Sequence, residues 1–413
     1  MANIVLSWRL FGTGREGDLW MMVMAIAQAL AILSQLGVEQ VAVFSARARQ
    51  AGADQGRRFD RDSLQWSLLF GLLFAVVMAL MLQAVAAAFA AGFDAPTRDR
   101  LVALLLPIML QLAAAPPLYV LRQQLLLDNR AAWSVVLSHV FTAVQCLVLL
   151  VCLFCQTTDA ELLAWLLGVG SMAGALLAVA GFGPAALRWQ APCWRSLAPL
   201  VRASASMRLT HSAHNLLVIV LTNAALSGGA PGTVAVFHYA KRLVDGLASV
   251  TISPHMAVLH ARQVTAWTRR DGAAFRDNAI RYVCCALPLL MGASSLVLLI
   301  GWGWGTWSGD ARLRPGSDEY GLLLLLLAWQ LVMAIETVAA GVPAYENRAG
   351  WLLAVNGLYI ASFFLAVHIL LPQPVTGAAV AAWSLACQLL SCGLFSWLAW
   401  HLCRQHFLQQ HRA

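Results

Sequence analysis

Four ionisable side chains fall within eight residues of an otherwise apolar stretch: His238, Lys241, Arg242 and Asp245. His238 and Arg242 are four apart and Arg242 and Asp245 three apart, so a helix places them on one face, which Ser249 continues. A charge at mid-bilayer costs roughly 2.5–3.5 kcal/mol on insertion scales, so such a face belongs toward a wet cavity. Arg242 carries a planar, permanently charged fork suited to phosphate oxygens. The competing reading is a structural ion pair, Lys241–Asp245 or Arg242–Asp245. Just upstream, His211, His214 and Asn215 cluster, with His211 and Asn215 on one face. Without an HExxH or a nearby acidic ligand they read as polar residues near an interface, or as a His proton switch, rather than a metal site. Glu39 and Glu336 are lone carboxylates in apolar segments. Desolvation disfavours the charged form of Glu336, which suits a group that takes up and releases an ion; otherwise it pairs with Arg242 or another helix. The Cys152–Cys155 CxxC has no second pair at metal spacing and reads as packing. No nucleophile elbow, P-loop, paired-carboxylate motif or metal cluster occurs, so neither an enzyme nor a cofactor is expected.

The elements that carry these residues are membrane helices. The chain is 60% hydrophobic and 11% charged, with a mean hydropathy of +0.72. Soluble domains carry about 25% charged residues. Apolar runs of about 20 residues recur, each long enough to cross a hydrocarbon core of roughly 30 Å, whereas barrel strands would be about ten residues long and alternating. Eleven full segments are expected, near 19–44, 64–93, 101–127, 132–156, 160–183, 205–227, 232–261, 280–302, 320–344, 350–371 and 375–402. Ahead of them, residues 1–13 read as the remnant of a first helix, too short for a signal peptide. Pro116–Pro117 and Pro288 interrupt helical bonding inside segments.

The net charge of +8 excludes little by itself, but its placement points to a membrane rather than nucleic acid. Of 27 Lys and Arg, 19 fall on the side of the 45–63 loop and five on the other, leaving Arg9, Lys241 and Arg242. The positive-inside rule then puts the 45–63 loop and the C-terminus in the cytoplasm and the Trp-rich "GWGWGTW" (301–307) at the outer interface.

"DNRAAW" (128–133) and "ENRAGW" (346–351) share four of six residues. Both follow an apolar segment, fall in short Arg-side turns and precede two more segments. This reads as a repeat of six helices per half, an even number that keeps the halves parallel, with substrate between them. The expected parts are an N-terminal lobe (1–183), a basic linker (184–204), a C-terminal lobe (205–404) and a cytoplasmic tail (405–413). The acidic residues Asp128 and Glu346 are expected to cap the turns, with the Arg facing lipid head groups.

"RLFGTGREGDLW" (9–20) resembles the first loop of MurJ-type (MviN) lipid II flippases, and "GTVAVFHYAKRLVDGLASVTISPHMAVLHARQ" (232–263) resembles their eighth helix with its Tyr-Ala-x-Arg-Leu. The segments leading into "DNRAAW" and "ENRAGW" resemble their fourth and tenth helices. The similarity runs over about residues 4–404. It implies the multidrug/oligosaccharidyl-lipid/polysaccharide exporter superfamily: an all-α polytopic protein with two parallel six-helix lobes around a central cavity and alternating access. It assigns Arg242 to the substrate phosphates and matches Arg9 and Asp18 to family positions. Three departures count against lipid II itself. The family's first-helix arginines precede the point matching Ile4, its second-helix Arg has no counterpart in "AQALAILSQLG" (27–37), and Lys241 stands where the family has an acidic residue. Two further C-terminal helices common in the family have no counterpart.

The expected function is an inner-membrane flippase for an undecaprenyl-diphosphate-linked saccharide, a surface-polysaccharide unit or lipid II. Arg242, Lys241, His238, Arg9, Asp18 and Asn215 are the substrate candidates. Glu336, Glu39, Asp245 and His211 are the coupling candidates. Partners are the lipid-linked saccharide, membrane lipids and envelope synthesis proteins. Two alternatives remain: a drug or cation antiporter on the same fold, using Glu336 or Glu39, and a transport-dead scaffold of an envelope synthesis complex, motivated by the clipped first helix.

Overall fold

The structure is a computed structural model and describes residues 2–184, 191–308, 315–345, 349–367 and 375–408. Its elements are all helical among the described residues. Those of one compact unit, Ala2–Ser227, are α1 (Ala2–Phe11), α2 (Arg15–Leu33), α3 (Val41–Ala51), α4 (Ala53–Leu80), α5 (Leu82–Phe89), α6 (Ala95–Leu127), α7 (Ala131–Ser138), α8 (Val140–Phe154), α9 (Ala160–Phe182) and α10 (Trp194–Ser227). The other unit, Gly228–Ala413, holds α11 (Thr233–Thr251), α12 (Ser253–Thr268), α13 (Gly272–Ser308), α14 (Asp318–Tyr345), α15 (Ala349–Leu365) and α16 (Gly377–Leu408).

Among the described residues, seven helices are long and apolar enough to cross a membrane: α2, α4, α6, α9, α13, α14 and α16. An eighth forms if α7 and α8, bent by 47°, count as one span. The apolar stretches Asn215–Ser227 and Gly350–Leu365 are shorter. The short helix expected at the start of the sequence is α1. Residues 205–227, assigned from sequence to the C-terminal lobe, lie in α10 and cluster with the first unit, where α10 packs on α2 and α5 and Ser227 Oγ accepts from the Gly92 amide at 2.9 Å.

Several boundaries differ from the sequence expectation. The segment over 19–44 is not one helix: α2 ends at Leu33, turns fill 34–40 and α3 begins at Val41. Side chains from neighbouring helices satisfy the turn's carbonyls, a requirement for buried backbone. Trp66 Nε1 donates to Gly37 O at 3.3 Å and Tyr119 OH to Glu39 O at 3.1 Å. Glu39 therefore sits in this turn and not within a span. The 232–261 segment divides at Ile252, with Pro254 in the first turn of α12, where its missing N–H is not needed.

The first unit is built around α6, which runs 33 residues through Pro107, Pro116 and Pro117 without ending. Pro117 has no N–H to offer the carbonyl four residues back, that of Ala113. Helix α4 closes on that carbonyl through Gly71, where a Cβ would lie 2.3 Å from Ala113 O. Gly168 of α9 approaches Pro107 O in the same way, its absent Cβ lying 2.1 Å away. Glycine lets three backbones meet where any side chain would hold them apart. Trp20, fully buried, stacks on Phe11 at 4.9 Å and ties α2 to α1.

At the arginine-rich end of this unit, Arg49 of α3 bridges two carboxylates, Asp60 of α4 at 2.7 Å and Asp128 after α6 at 2.6 Å. Ser45 also donates to Asp60. In the "DNRAAW" turn Asp128 is the C-cap residue of α6, its amide donating to Gln124 O. The Asp128 carboxylate is committed to Arg49, Asn129 takes the left-handed conformation that Asn tolerates (φ 58°), and Arg130 is exposed. Glu346 of the second turn lies outside the described residues.

Candidate functional site

Helix α11 begins after Gly232 in a left-handed conformation (φ 97°) and buries Val234, Phe237, Val244 and Ala248. His238 lies on this inner side at 9% exposure, and Lys241, Arg242 and Asp245 follow it half-buried. The two cations are used differently. Lys241 Nζ bonds both oxygens of Asp245, one turn on, at 2.9 and 3.0 Å, and stands 5.1 Å above the Trp329 ring of α14. Arg242 makes neither a hydrogen bond nor an ion pair among the described residues, although Asp245 and Tyr239 are close enough to act on it electrostatically.

The contact with Trp329 opens a longer polar chain. Trp329 Nε1 donates to Gln388 Oε1 of α16 at 3.0 Å, and Gln388 Nε2 donates to Glu336 Oε2 of α14 at 2.6 Å. Indole nitrogen can only donate, so it fixes the amide orientation and leaves the Gln388 NH₂ facing Glu336. Ser391 also hydrogen-bonds Glu336. Asp245, Lys241, Trp329, Gln388, Glu336 and Ser391 thereby connect three helices. Trp329 and Glu336 lie seven apart on α14; Ser384, Gln388 and Ser391 lie four and three apart on α16. Both are one-face spacings. Glu336 is therefore surrounded by partners, a correction to the purely apolar setting expected for it, and its partner is not Arg242. The polar stripe on α16 was readable in its spacing; Trp329 carried no such signal, because an aromatic in an apolar helix ordinarily reads as packing.

In the first unit, Arg9 lies exposed in the last turn of α1, and Asp18 is buried at 4% exposure in the first turn of α2, where the helix dipole favours a carboxylate. Asn215 is exposed on α10, while the side chains of His211 and His214 lie outside the described residues. On the arginine-poor side, α2 and α6 are joined by two ion pairs, Arg15–Asp94 and Arg100–Glu16, both at 2.5 Å. Hydrogen bonds from Thr97 and Arg15 hold the Asp94 carboxyl down to about 2. No group of three metal-ligating residues occurs among the described residues, and Cys152 is buried while Cys155 is exposed.

No protein-family profile matches the chain, and no curated protein matches it in sequence. Solved structures do. An inward-facing multidrug resistance MATE family transporter of the MOP superfamily is 13% identical, with a TM-score of 0.73 over 97% of this chain and 94% of that one. The lipid II flippase MurJ, in an inward closed conformation, is 10% identical, with a TM-score of 0.69 over 98% and 88%. A MOP superfamily transporter from Pyrococcus furiosus is 11% identical, with a TM-score of 0.55 over 97% and 91%. This multi-pass membrane protein has the fold shared by the MATE and MurJ transporters of the MOP superfamily.

Proposed function

We propose that the protein flips an undecaprenyl-diphosphate-linked saccharide across the bacterial inner membrane by alternating access, with its C-terminus in the cytoplasm. The observation that carries this reading is Arg242. Its neighbour Lys241 is committed to Asp245 and Trp329, while the Arg242 guanidinium makes no hydrogen bond or ion pair among the described residues. A half-buried guanidinium that makes no hydrogen bond or ion pair of its own is unfavourable unless an anion arrives to meet it. The diphosphate of a lipid-linked sugar is such an anion, and the fold shared with the lipid II flippase MurJ supports a lipid-linked substrate. The polyprenyl tail stays in lipid, and the two lobes exchange the side that is open. The saccharide is a surface-polysaccharide unit or lipid II.

A second reading, a cation-coupled drug antiporter, is favoured by one observation: Glu336 is a membrane-level carboxylate held by Gln388 and Ser391. The fold shared with a multidrug MATE transporter supports it as well. In a strain depleted of the protein, a lipid-linked oligosaccharide measured by mass spectrometry should accumulate. Wild type should clear it and Arg242→Ala, inserted normally, should not. Full clearance by Arg242→Ala removes the phosphate role. Absence of any such lipid, with dye efflux lost in Glu336→Gln, establishes the antiporter instead.

A further inference from the structure

A groove between α12 and α13 lies apart from the chain linking α11, α14 and α16. Along α12, His255, Leu259, Arg262, Ala266 and Arg269 succeed one another at intervals of three or four residues. Along α13, Ala274, Asn278, Arg281 and Cys285 do the same. Such spacings put each set on one helix face. The two faces enclose hollows of about 340 and about 300 Å³ that share Arg262 and Asn278. Fourteen residues of helix separate His255 from Arg269, so the groove is about 21 Å long.

The groove changes character along its length. Toward the turn joining the helices its lining is polar, with Arg269, Asp271 and Asn278. At the other end Val258, Leu259 and Cys285 form an apolar wall beside His255 and Tyr282, and Val258 is 49% exposed. Arg281 and Arg262 stand between. The guanidiniums of Arg262, Arg269 and Arg281 are exposed and make no hydrogen bond or ion pair among the described residues. The lining has one carboxylate, Asp271, and its Oδ1 accepts from the Ala274 amide at 2.9 Å as the cap of α13. Three free arginine forks beside one engaged carboxylate make an anion site, and the planar fork matches phosphate oxygens. The apolar half distinguishes this from a site for a soluble phosphate, which would leave Val258 and Cys285 unused. The groove lies on the arginine-rich side of the chain, and basic pockets between helices on the cytoplasmic side of a membrane bind anionic head groups.

The geometry points to a binding site for an anionic phospholipid of the surrounding bilayer, with Arg262 and Arg281 on the phosphate and Val258 and Cys285 beside the acyl chain. The test uses the purified full-length chain in detergent with short-chain phosphatidylglycerol or phosphatidylcholine, and reads retained lipid by native mass spectrometry. Phosphatidylglycerol should be retained at least tenfold better than phosphatidylcholine. Arg262→Gln with Arg281→Gln should lower its retention at least tenfold. Arg276→Gln removes a single charge from exposed α13 surface, where Arg276 faces Asp277 at 3.6 Å, and should change nothing. Equal retention of the two lipids, or equal loss in Arg276→Gln, overturns the site. Full displacement of the lipid by inorganic pyrophosphate overturns the lipid as ligand and leaves a simple phosphate site. If the double Gln variant fails to fold, Arg262→Lys with Arg281→Lys keeps the charge and loses the fork. Severalfold weaker retention then supports the site, and unchanged retention overturns it.

Discussion

Glu336 on α14 accepts a 2.6 Å hydrogen bond from Gln388 on α16, whose other amide atom accepts from Trp329 one face-repeat away on α14. One side chain thus bridges an indole and a carboxylate, which Ser391 also contacts, between packed helices. Gln388→Leu should lower the stability of the purified protein by about 1–3 kcal/mol, the range for stranding a buried polar group. Glu336→Leu in the Gln388→Leu background should recover part of that loss, because no carboxylate is left unmet. Thermal unfolding of the two single variants and the double closes the cycle. Strict additivity would mean that the bond contributes nothing.

Lys241 and Arg242 are adjacent yet bound for different roles. Arg242→Ala should reduce transport by tenfold or more, and Arg242→Lys should restore only part, because a point charge replaces a bidentate fork. Lys241→Met, which breaks a half-exposed i,i+4 pair with Asp245, should change stability by only about 0.3–0.5 kcal/mol. Transport of lipid-linked oligosaccharide by the three variants at equal expression checks the split. Equal damage from Lys241→Met and Arg242→Ala would contradict it.

The close approach of α4 to α6 makes Gly71 sensitive to a single methyl group. A Cβ there meets Ala113 O at 2.3 Å, and a backbone carbonyl cannot swing away as a flexible side chain would. Gly71→Ala should destabilise by about 1–3 kcal/mol. Gly292→Ala, with open space around it in α13, should be neutral or stabilising. Melting temperatures in one detergent compare the two.

Much of this was legible in the sequence, and the part that was not has a consistent cause. Apolar run length and arginine placement indicated the membrane helices, because the bilayer sets both. The charged face of α11 was evident because its members share one helix and a fixed spacing. What joins them to Trp329, Gln388 and Ser391 was not, because those residues lie on other segments and their distance in space depends on how helices pack. The break at 34–40 was missed for the same reason. "ILSQLGVEQV" is apolar enough to continue a helix, and partners remote in sequence, among them Trp66, Tyr119 and Ser204, help make its turn tolerable.

Asp94 should make the junction of α2 with the start of α6 acid-sensitive. Its carboxyl is held down to about 2 by Thr97 and Arg15, below the ordinary 3.8. A depressed value means that the ionised form is the one the fold favours. The stabilisation is therefore complete above about pH 4 and is lost as pH falls through about 2. Asp94→Asn should lower the melting temperature at pH 5, and the gap to wild type should close between pH 4 and 2. A gap independent of pH would show that the cap geometry, and not the charge, is what matters.

Arg49 is the joint that fastens α3 to the ends of two spans. Its guanidinium meets Asp60 with Nε at 3.0 Å and Nη2 at 2.7 Å, and Asp128 with Nη1 at 2.6 Å. Asp60 also accepts from Ser45, so the carboxylate is engaged on both oxygens. A lysine offers one point charge and cannot span two carboxylates in a fixed plane. Arg49→Lys should therefore keep one contact and release the other, and Arg49→Ala should leave two neighbouring carboxylates repelling each other at the base of α3. The helix is short, at 11 residues, and its own propensity does not hold it once the joint is gone. Amide hydrogen exchange over 41–51 should rise modestly in Arg49→Lys and strongly in Arg49→Ala, with α6 unaffected before Gln124. Unchanged exchange in Arg49→Ala would mean that the buried Val41 and Ser45 hold α3 in place without the ion pairs.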